Sequence, residues 1–235
     1  MKNLIAEELL KKLKQISKSP IASVCAGDGS VGSSVESALN ITANNSKLPD
    51  YKGIELKAGR SPKCRTTLFA QVANWDISDC KSSADILNRY GYQRDGIFRL
   101  YCTVSAKKPN SQGLYFVHDK QLDRLDEIDD KGNRVATWRG DILRERLLSK
   151  HAETFWITAK KVMYNNKEHF NLTSVTHTQQ PFDSQFLSLI ESGIITMDHL
   201  IKRKSGVSEK GPFFKIDKSN LKYLFPEVKV YNLND

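Results

Sequence analysis

The spacing of apolar side chains predicts three elements near the start of the chain. Residues 4–16 repeat apolar positions at helical intervals between charged ones, which is typical of an amphipathic helix. A second helix is expected over residues 31–39, where it would present Glu36. Residues 51–57 alternate between apolar and polar side chains, so this segment is predicted to be a strand with Glu55 and Lys57 on the same face.

The rest of the chain mixes further helices and strands. Helical spacing recurs over residues 82–90, from Asp141 onward and over residues 183–191. Alternating segments predict several strands, among them an antiparallel pair joined by a turn at Asn165 and Asn166. Because helices and strands follow one another irregularly, the pattern favours an α/β or α+β fold around a mixed sheet.

Net charge adds a candidate partner. The chain has 36 Lys and Arg residues against 27 Asp and Glu residues, a formal net charge of +9. An excess of that size favours a polyanionic partner, most commonly nucleic acid, although a basic protein without such a partner has the same composition. No segment approaches the roughly 18 apolar residues of a membrane span. The charged first helix does not resemble a signal peptide, so the sequence predicts a cytoplasmic protein with no membrane partner.

The segment LPDYKGIELK, residues 48–57, carries the candidate chemistry. Phosphodiester hydrolysis needs a hard cation, and Mg²⁺ prefers oxygen ligands such as one or two carboxylates. Asp50 at the start of the predicted strand and Glu55 on it can share that cation. Lys57 projects beside Glu55, where it can orient the attacking water or stabilise the phosphate. The alternative is an exposed strand with a ladder of Glu and Lys, but the preceding Pro49 and the basic chain favour a Mg²⁺-dependent DNA endonuclease.

Several segments resemble a known family of nucleases. Pro49 and Asp50 followed by ELK resemble the PD-(D/E)xK signature, and GSVGSSVE, residues 29–36, is similar to a helix of its MutH-like branch. By this resemblance Glu36 joins Asp50, Glu55 and Lys57 as a catalytic residue. The segments RTTLF (65–69), ILNRYGY (86–92) and EKGPFFKI (209–216) resemble, in the same order, blocks of the MvaI/BcnI family of type II restriction endonucleases.

The resemblance implies a nuclease-like mixed central sheet flanked by helices. It implies one domain over residues 1–235, with a catalytic and a recognition lobe around a DNA cleft. It also implies a monomer that uses Mg²⁺ to cut double-stranded DNA at a short site, leaves 5′-phosphate ends and has a cognate methyltransferase as its genetic partner. Ser208 stands where the family has a histidine, so the family's target sequence is not carried over.

Basic loops and family blocks supply the predicted DNA contacts. Residues 202–222 contain seven basic and two acidic side chains, although such a cluster can also be plain surface charge. The predicted contact residues are Arg60, Lys63, Arg65, Asn88, Arg89, Lys202, Arg203, Lys204, Ser208, Glu209, Lys210 and Lys215. By contrast, residues 119–130 hold six acidic side chains and are expected to form a solvated hairpin that faces away from phosphates.

Two alternative functions remain open at this point. A MutH-like endonuclease of mismatch repair, which nicks one strand, shares the catalytic pattern. A DNA-binding protein without catalysis would share the basic charge. The segments RTTLF and NRYG favour the restriction endonuclease over the nicking enzyme.

Overall fold

The structure is a computed structural model that describes residues 2–27, 29–42, 49–60 and 64–234. The chain divides into two compact units. Unit 1 comprises Met1–Thr66, Ser149–Pro181 and Phe225–Asp235, and unit 2 comprises Thr67–Leu148 and Phe182–Leu224. None of the described helices is long and apolar enough to cross a membrane.

Helices and strands alternate irregularly along the described residues, which confirms the mixed α+β class predicted from the sequence. In chain order they are α1 (Lys2–Ile16), β1 (Ile21–Ala22), α2 (Ser30–Ala38), β2 (Glu55–Gly59), β3 (Arg65–Ala70), α3 (Ser83–Tyr90), β4 (Tyr92–Arg94), β5 (Ile97–Val104), β6 (Tyr115–Asp119), β7 (Arg124–Ile128), β8 (Arg134–Arg139), α4 (Gly140–His151), β9 (Glu153–Tyr164), β10 (Lys167–Gln179), α5 (Phe186–Glu191), β11 (Ile195–Arg203), β12 (Val207–Glu209), β13 (Phe213–Asp217), α6 (Leu221–Leu224) and β14 (Glu227–Asn232).

Unit 1 is built on a sheet of five strands. The order is β1-β10-β9-β2, and β14 also pairs with β10. Strand β2 runs parallel to β9, with Glu55 opposite Thr154 and Lys57 opposite Trp156, whereas the other pairs are antiparallel. The long hairpin of β9 and β10 therefore supports the short strand that carries the candidate catalytic residues.

A hydrophobic core fixes the two N-terminal helices to this sheet. Apolar residues of α1 and α2 pack with alternate residues of β9 and β10, and the core also takes in Ile54 and Leu56. Leu9 and Leu13 of α1 are fully buried, and Val31 and Val35 of α2 are 1% exposed. The apolar faces predicted from helical spacing thus pack against the apolar face predicted from strand alternation.

The start of the predicted strand over residues 51–57 is wrong. Strand β2 begins only at Glu55, because Tyr51 and Ile54 close a tight turn through hydrogen bonds of 2.9 Å and 2.8 Å between their backbone groups. The two residues between them, Lys52 and Gly53, have φ of 47° and 93°. Left-handed backbone at two successive positions is the geometry of a hairpin-type turn and is incompatible with a continuous strand.

Unit 2 contains two sheets. The larger has the order β3-β13-β11-β5-β4 with β12 added beside β11, and the smaller has the order β6-β7-β8. Aromatic rings fill the core between neighbouring elements: Phe214 contacts Phe69, Phe116, Trp138 and Phe186 with centroid distances between 5.3 Å and 6.4 Å.

The expectation of a solvated acidic hairpin over residues 119–130 is wrong for half of its acidic side chains. Asp126, Glu127 and Asp129 are 7%, 0% and 7% exposed. Each has partners in unit 2: Arg124 for Asp126, His199 for Glu127 and Asn133 for Asp129. Buried charge is tolerated here because it is paired and hydrogen-bonded, which a count of acidic residues along the sequence does not reveal.

Candidate active site

The Tyr51–Ile54 turn holds Asp50 against the beginning of β2. The carboxylate oxygen Oδ2 of Asp50 accepts a hydrogen bond of 2.9 Å from the backbone N–H of Leu56. This bond crosses the turn and uses one carboxylate oxygen, so the side chain is fixed beside Glu55. The sequence predicted that Asp50 lies at the start of the strand, and the turn is the element that brings it back over the strand.

Glu55 is the most enclosed of the candidate residues, with 1% of its surface exposed. Its oxygen Oε1 lies 2.6 Å from Nζ of Lys57, as expected for two side chains on one face of a strand. Its other oxygen, Oε2, lies 2.7 Å from Nζ of Lys150. The two ammonium groups compensate a carboxylate that burial alone would make costly to ionise.

Glu36 lies on α2, where its carboxyl group is influenced by the charges of Asp50 and Lys57. Val31 and Val35 bury one face of this helix, and Glu36 is left half-buried beside an open cavity of about 460 Å³ that it lines with Ser33 and Ser37. Burial raises the pKa of Glu36, and the negative charge of Asp50 raises it further, while Lys57 opposes the shift. The structure thus places Glu36 close enough to Asp50 to be influenced by its charge.

The pKa of Glu55 depends on the same charged side chains. Burial raises the pKa of its carboxyl group, the positive charge of Lys57 opposes the rise, and Asp50 adds to it. Carboxyl groups whose pKa is raised by a neighbouring negative charge are poised to take up a cation, which removes the repulsion. We call Glu36, Asp50, Glu55, Lys57 and Lys150 the carboxylate–lysine cluster.

The donor atoms of this cluster suit a hard cation. Among the described residues, no group of three or more His, Cys, Asp or Glu side chains has the arrangement of a complete metal site. Mg²⁺ does not need one, since it is usually bound by one or two carboxylates, with water and phosphate oxygens at the remaining positions. Asp50 and Glu55 supply two carboxylates at adjoining points of the chain, which are hard oxygen ligands of the kind that Mg²⁺ prefers.

Lys150 was not among the residues predicted from the sequence. It lies in the last turn of α4, far along the chain from β2, and only the parallel pairing of β2 with β9 brings the two segments together. The sequence offers one weak signal, a lysine at the end of an amphipathic segment, and such lysines are common because they favour helix C-termini.

The predicted DNA contacts of unit 1 are only partly accessible. Arg60 already donates to Ser30 Oγ at 2.8 Å, lies 3.3 Å from a Glu168 oxygen and stacks over the Phe170 ring. Arg65 is exposed at the start of β3. Lys63 lies outside the described residues.

In unit 2 the structure joins two groups of predicted DNA contacts. Strands β11 and β12 form a hairpin, the late hairpin (Ile195–Glu209), in which Lys202 lies opposite Ser208. Arg203 donates to the Asn88 side chain of α3, and Ser83 at the start of α3 donates to Glu209. Burial raises the pKa of Glu209, and the hydrogen bond from Ser83 opposes that rise.

The other predicted contacts of unit 2 have mixed environments. Lys215 on β13 is paired with Asp198 at 2.8 Å, so its charge is already compensated. Lys202 is half-buried, and the exposed members are Arg89, Lys204 and Lys210. Segments that are distant in sequence thus meet at α3 and the late hairpin, where Asn88 and Glu209 of two family segments lie with Arg203 of the basic loop.

The fold is that of restriction endonucleases with known structures. The solved "Restriction endonuclease MvaI-cognate DNA substrate complex" matches with a TM-score of 0.83 at 22% identity, covering 97% of this chain and 97% of that chain. "Restriction endonuclease MvaI in the absence of DNA" matches with a TM-score of 0.55 at 22% identity, over 96% and 97% of the two chains. Comparison with curated proteins gives no match.

A profile of the MvaI/BcnI restriction endonuclease family matches residues 10–225, nearly the whole chain. The chain therefore belongs to the MvaI/BcnI restriction endonuclease family, and with it to the type II site-specific deoxyribonucleases. The family predicted from the sequence segments is confirmed.

Proposed function

We propose that this chain is a Mg²⁺-dependent restriction endonuclease that hydrolyses phosphodiester bonds of double-stranded DNA and leaves 5′-phosphate ends. Its catalytic residues are Glu36, Asp50, Glu55 and Lys57. The observation that carries the proposal is the contact of 2.6 Å between Lys57 and the buried Glu55, on a strand whose start is held by Asp50. The single domain over residues 1–235, the monomeric state and a cognate methyltransferase are parts of the same proposal.

Asp50 and Glu55 would hold the cation. One oxygen of Asp50 is tethered to the backbone of Leu56, which fixes the plane of the carboxylate and leaves its direction little freedom. Mg²⁺ bound there supplies charge stabilisation for the phosphate and lowers the pKa of water. Glu36 joins the two carboxylates from α2, where burial and the charge of Asp50 already raise its pKa.

Lys57 would act on the reacting phosphate. Its side chain is 23% exposed, so it is reachable from solvent while its contact with Glu55 holds the ammonium group in place. A positive charge held in this way can orient the attacking water or stabilise the negative charge that grows on the phosphate. Its contact with Glu55 means that one residue of the strand positions both the cation and the ammonium group.

Double-stranded DNA is the proposed substrate on three grounds. The family consists of restriction endonucleases, one of the matching structures is a complex of MvaI with its DNA, and the chain carries a formal charge of +9. In unit 2 the late hairpin and α3 present Asn88, Arg203, Ser208 and Glu209 together, a set able to contact base edges and phosphates.

A cleavage assay tests the proposal. The purified protein is incubated with supercoiled plasmid and with a long linear DNA, with Mg²⁺ and with chelator, and the products are separated on a gel. Discrete Mg²⁺-dependent fragments are expected, with ends that accept ligation without added phosphate. Nicked circles without linear product would instead support the MutH-like alternative, and intact DNA across diverse substrates would contradict the proposal.

Site variants connect that activity to the cluster. Asp50→Asn and Lys57→Ala are each expected to lower the cleavage rate by on the order of a thousandfold, because each removes charge that acts on the transition state. Binding to DNA, measured with Ca²⁺ in place of Mg²⁺, should change little. Glu7→Gln and Lys11→Ala on the exposed side of α1 are matched controls that should cut like the native protein.

A further inference from the structure

We propose that Lys150 is a second active-site lysine that serves as the built-in counter-ion of Glu55. In the DNA-free protein it competes with the divalent cation for that carboxylate, and during catalysis it keeps the carboxylate in its productive plane. It is a positioning residue that acts through Glu55. This inference rests on the proposed cation site at Asp50 and Glu55.

The first observation is that both oxygens of one buried carboxylate face ammonium groups. Lys57 lies 2.6 Å from Oε1 and Lys150 lies 2.7 Å from Oε2 of Glu55. The Glu55 side chain is 1% exposed, and the contact of Lys150 with Oε2 is an ion pair that does not have hydrogen-bond geometry, so this buried oxygen has no hydrogen-bond donor among the described residues. A cation that uses Oε2 must displace Lys150 or share the oxygen with it.

The charge count explains why a second lysine is useful. The three carboxylates of the cluster against its two lysines leave a formal charge of −1. Without Lys150 the formal charge would be −2, in a cluster where the charge of Asp50 already raises the pKa of Glu36 and of Glu55. With Lys150 present, a bound divalent cation turns the cluster to a formal +1, which suits an approaching phosphate diester.

The backbone around Lys150 is held in place by its neighbour. His151 is fully buried, its Nδ1 lies 2.9 Å from Oγ1 of Thr154, and its ring stacks on Trp156 at a centroid distance of 5.3 Å. Thr154 is the β9 residue directly opposite Glu55. The end of α4 is therefore fixed to the strand that pairs with β2. This places Nζ of Lys150 2.7 Å from Oε2 of Glu55.

Lys150 is also more enclosed than the lysine of the motif. Its side chain is 12% exposed against 23% for Lys57. The positive charge of Lys150 opposes the rise in the pKa of Glu36 as well as that of Glu55. An ordinary surface ion pair contributes little to stability and does not influence a second carboxyl group in this way. The position of Lys150 is therefore that of a residue of the active site.

Cation binding without DNA is the direct test. Mn²⁺ is titrated into native protein, Lys150→Met and Lys150→Arg, with free Mn²⁺ followed by its EPR signal and the melting temperature, Tm, measured in parallel. Lys150→Met is expected to bind Mn²⁺ about tenfold more tightly, because the competing charge is gone. Its Tm without cation should fall, and saturating Mn²⁺ should raise it more than in the native protein.

Lys150→Arg is expected to move cation binding in the opposite direction. A guanidinium group can take both oxygens of a carboxylate, so Mn²⁺ affinity should drop several-fold while Tm is retained. If Lys150→Met does not fold, this variant alone decides the matter. Cleavage at saturating Mg²⁺ should fall about tenfold in Lys150→Met although its cation affinity rises, a split that loss of stability does not produce. Lys11→Met, which removes an exposed lysine of α1, should match the native protein in every measurement.

The outcomes separate this inference from the proposed function. Unchanged Mn²⁺ affinity in both Lys150 variants, with Asp50→Asn abolishing it, would overturn the role of Lys150 and leave the cation site standing. Unchanged Mn²⁺ affinity in Asp50→Asn would overturn the cation site itself.

Discussion

Two buried glutamates show how differently the two units use the same residue type. Glu55 in unit 1 is 1% exposed and is held by two lysines. Glu127 in unit 2 is fully buried and pairs with the equally buried His199, whose Nε2 lies 3.0 Å and 3.1 Å from its two oxygens. By burial and by pairing alone, both would pass as structural ion pairs.

The surroundings tell the two apart. Glu55 has two further carboxylates within electrostatic reach, and its lysines are partly open to solvent. Glu127 and His199 are 0% exposed, so neither can meet a substrate without local opening. Uncompensated negative charge next to partly accessible cations marks a site that has a ligand still to take up, whereas a closed pair marks a part of the core.

The largest expected effect in this comparison is on catalysis at Glu55. Glu55→Gln should lower the cleavage rate by on the order of a thousandfold, because a neutral amide cannot hold the cation or direct Lys57. Its Tm should fall less than that of Glu127→Gln, because the amide removes the repulsion from Asp50 and Glu36 and the two lysines that lose their partner are 23% and 12% exposed. Single-turnover cleavage and a melting curve on the same sample check both statements. A collapse of Tm would contradict the second, because the loss of cleavage would then follow from unfolding.

The next largest effect is on stability at Glu127. Glu127→Gln should destabilise the protein by roughly 3–5 kcal/mol, because His199 is left buried without its charge partner. Cleavage per folded molecule, measured below the transition, should be nearly native. Denaturant unfolding followed by tryptophan fluorescence gives the free energy of unfolding. An unchanged value would contradict a stabilising role for the pair of Glu127 and His199.

A smaller effect is expected at the contact between α3 and the late hairpin. Ser83→Ala removes the hydroxyl that donates to Glu209 and should leave that carboxylate free to rotate. We expect discrimination between the preferred DNA site and sites with one altered base pair to fall about tenfold, within the range for a single polar contact. Cleavage rates on matched oligonucleotide duplexes measure it, with Ser82→Ala as the neighbouring control for the loss of the α3 cap alone.

The smallest effect is the pH dependence that the buried pair confers. Burial disfavours the charged form of His199, but the charge of Glu127, its hydrogen bond and the charges of Glu209 and Asp198 together outweigh burial and raise the pKa of His199 above 6.5. A raised pKa in the folded state means that the stabilisation is complete below pH 6.5 and is lost as pH rises through the folded value. Tm measured from pH 6 upward should decline in the native protein and decline less in Glu127→Gln, and parallel curves would contradict the assignment.

The local pattern carried much of unit 1. Helices α1 and α2 follow the predicted spacing because each buries one apolar face on the sheet, and Glu55 and Lys57 meet because a strand places alternate residues on one side. The turn before β2 was not predicted, because Lys52 adopts a left-handed conformation that a lysine in the sequence does not indicate.

The rest of the site depends on contacts between distant parts of the chain. Lys150 reaches Glu55 only through the pairing of β2 with β9, and Glu127 is buried only because His199 arrives from β11. Ion pairs of this kind have no periodicity, so a single sequence contains at most a weak signal for them. The family segments found Asn88 and Glu209 as separate positions, and the structure adds that α3 and the late hairpin hold them in one place.

The most direct measurement is cleavage of supercoiled and linear DNA by the native protein and by Glu55→Gln, each with Mg²⁺ and with chelator. Discrete fragments are expected from the native protein only when Mg²⁺ is present. None are expected from Glu55→Gln, which should still bind the same DNA in Ca²⁺. Cleavage that persists in chelator, or that survives in Glu55→Gln, would contradict a cation site built on the carboxylate–lysine cluster.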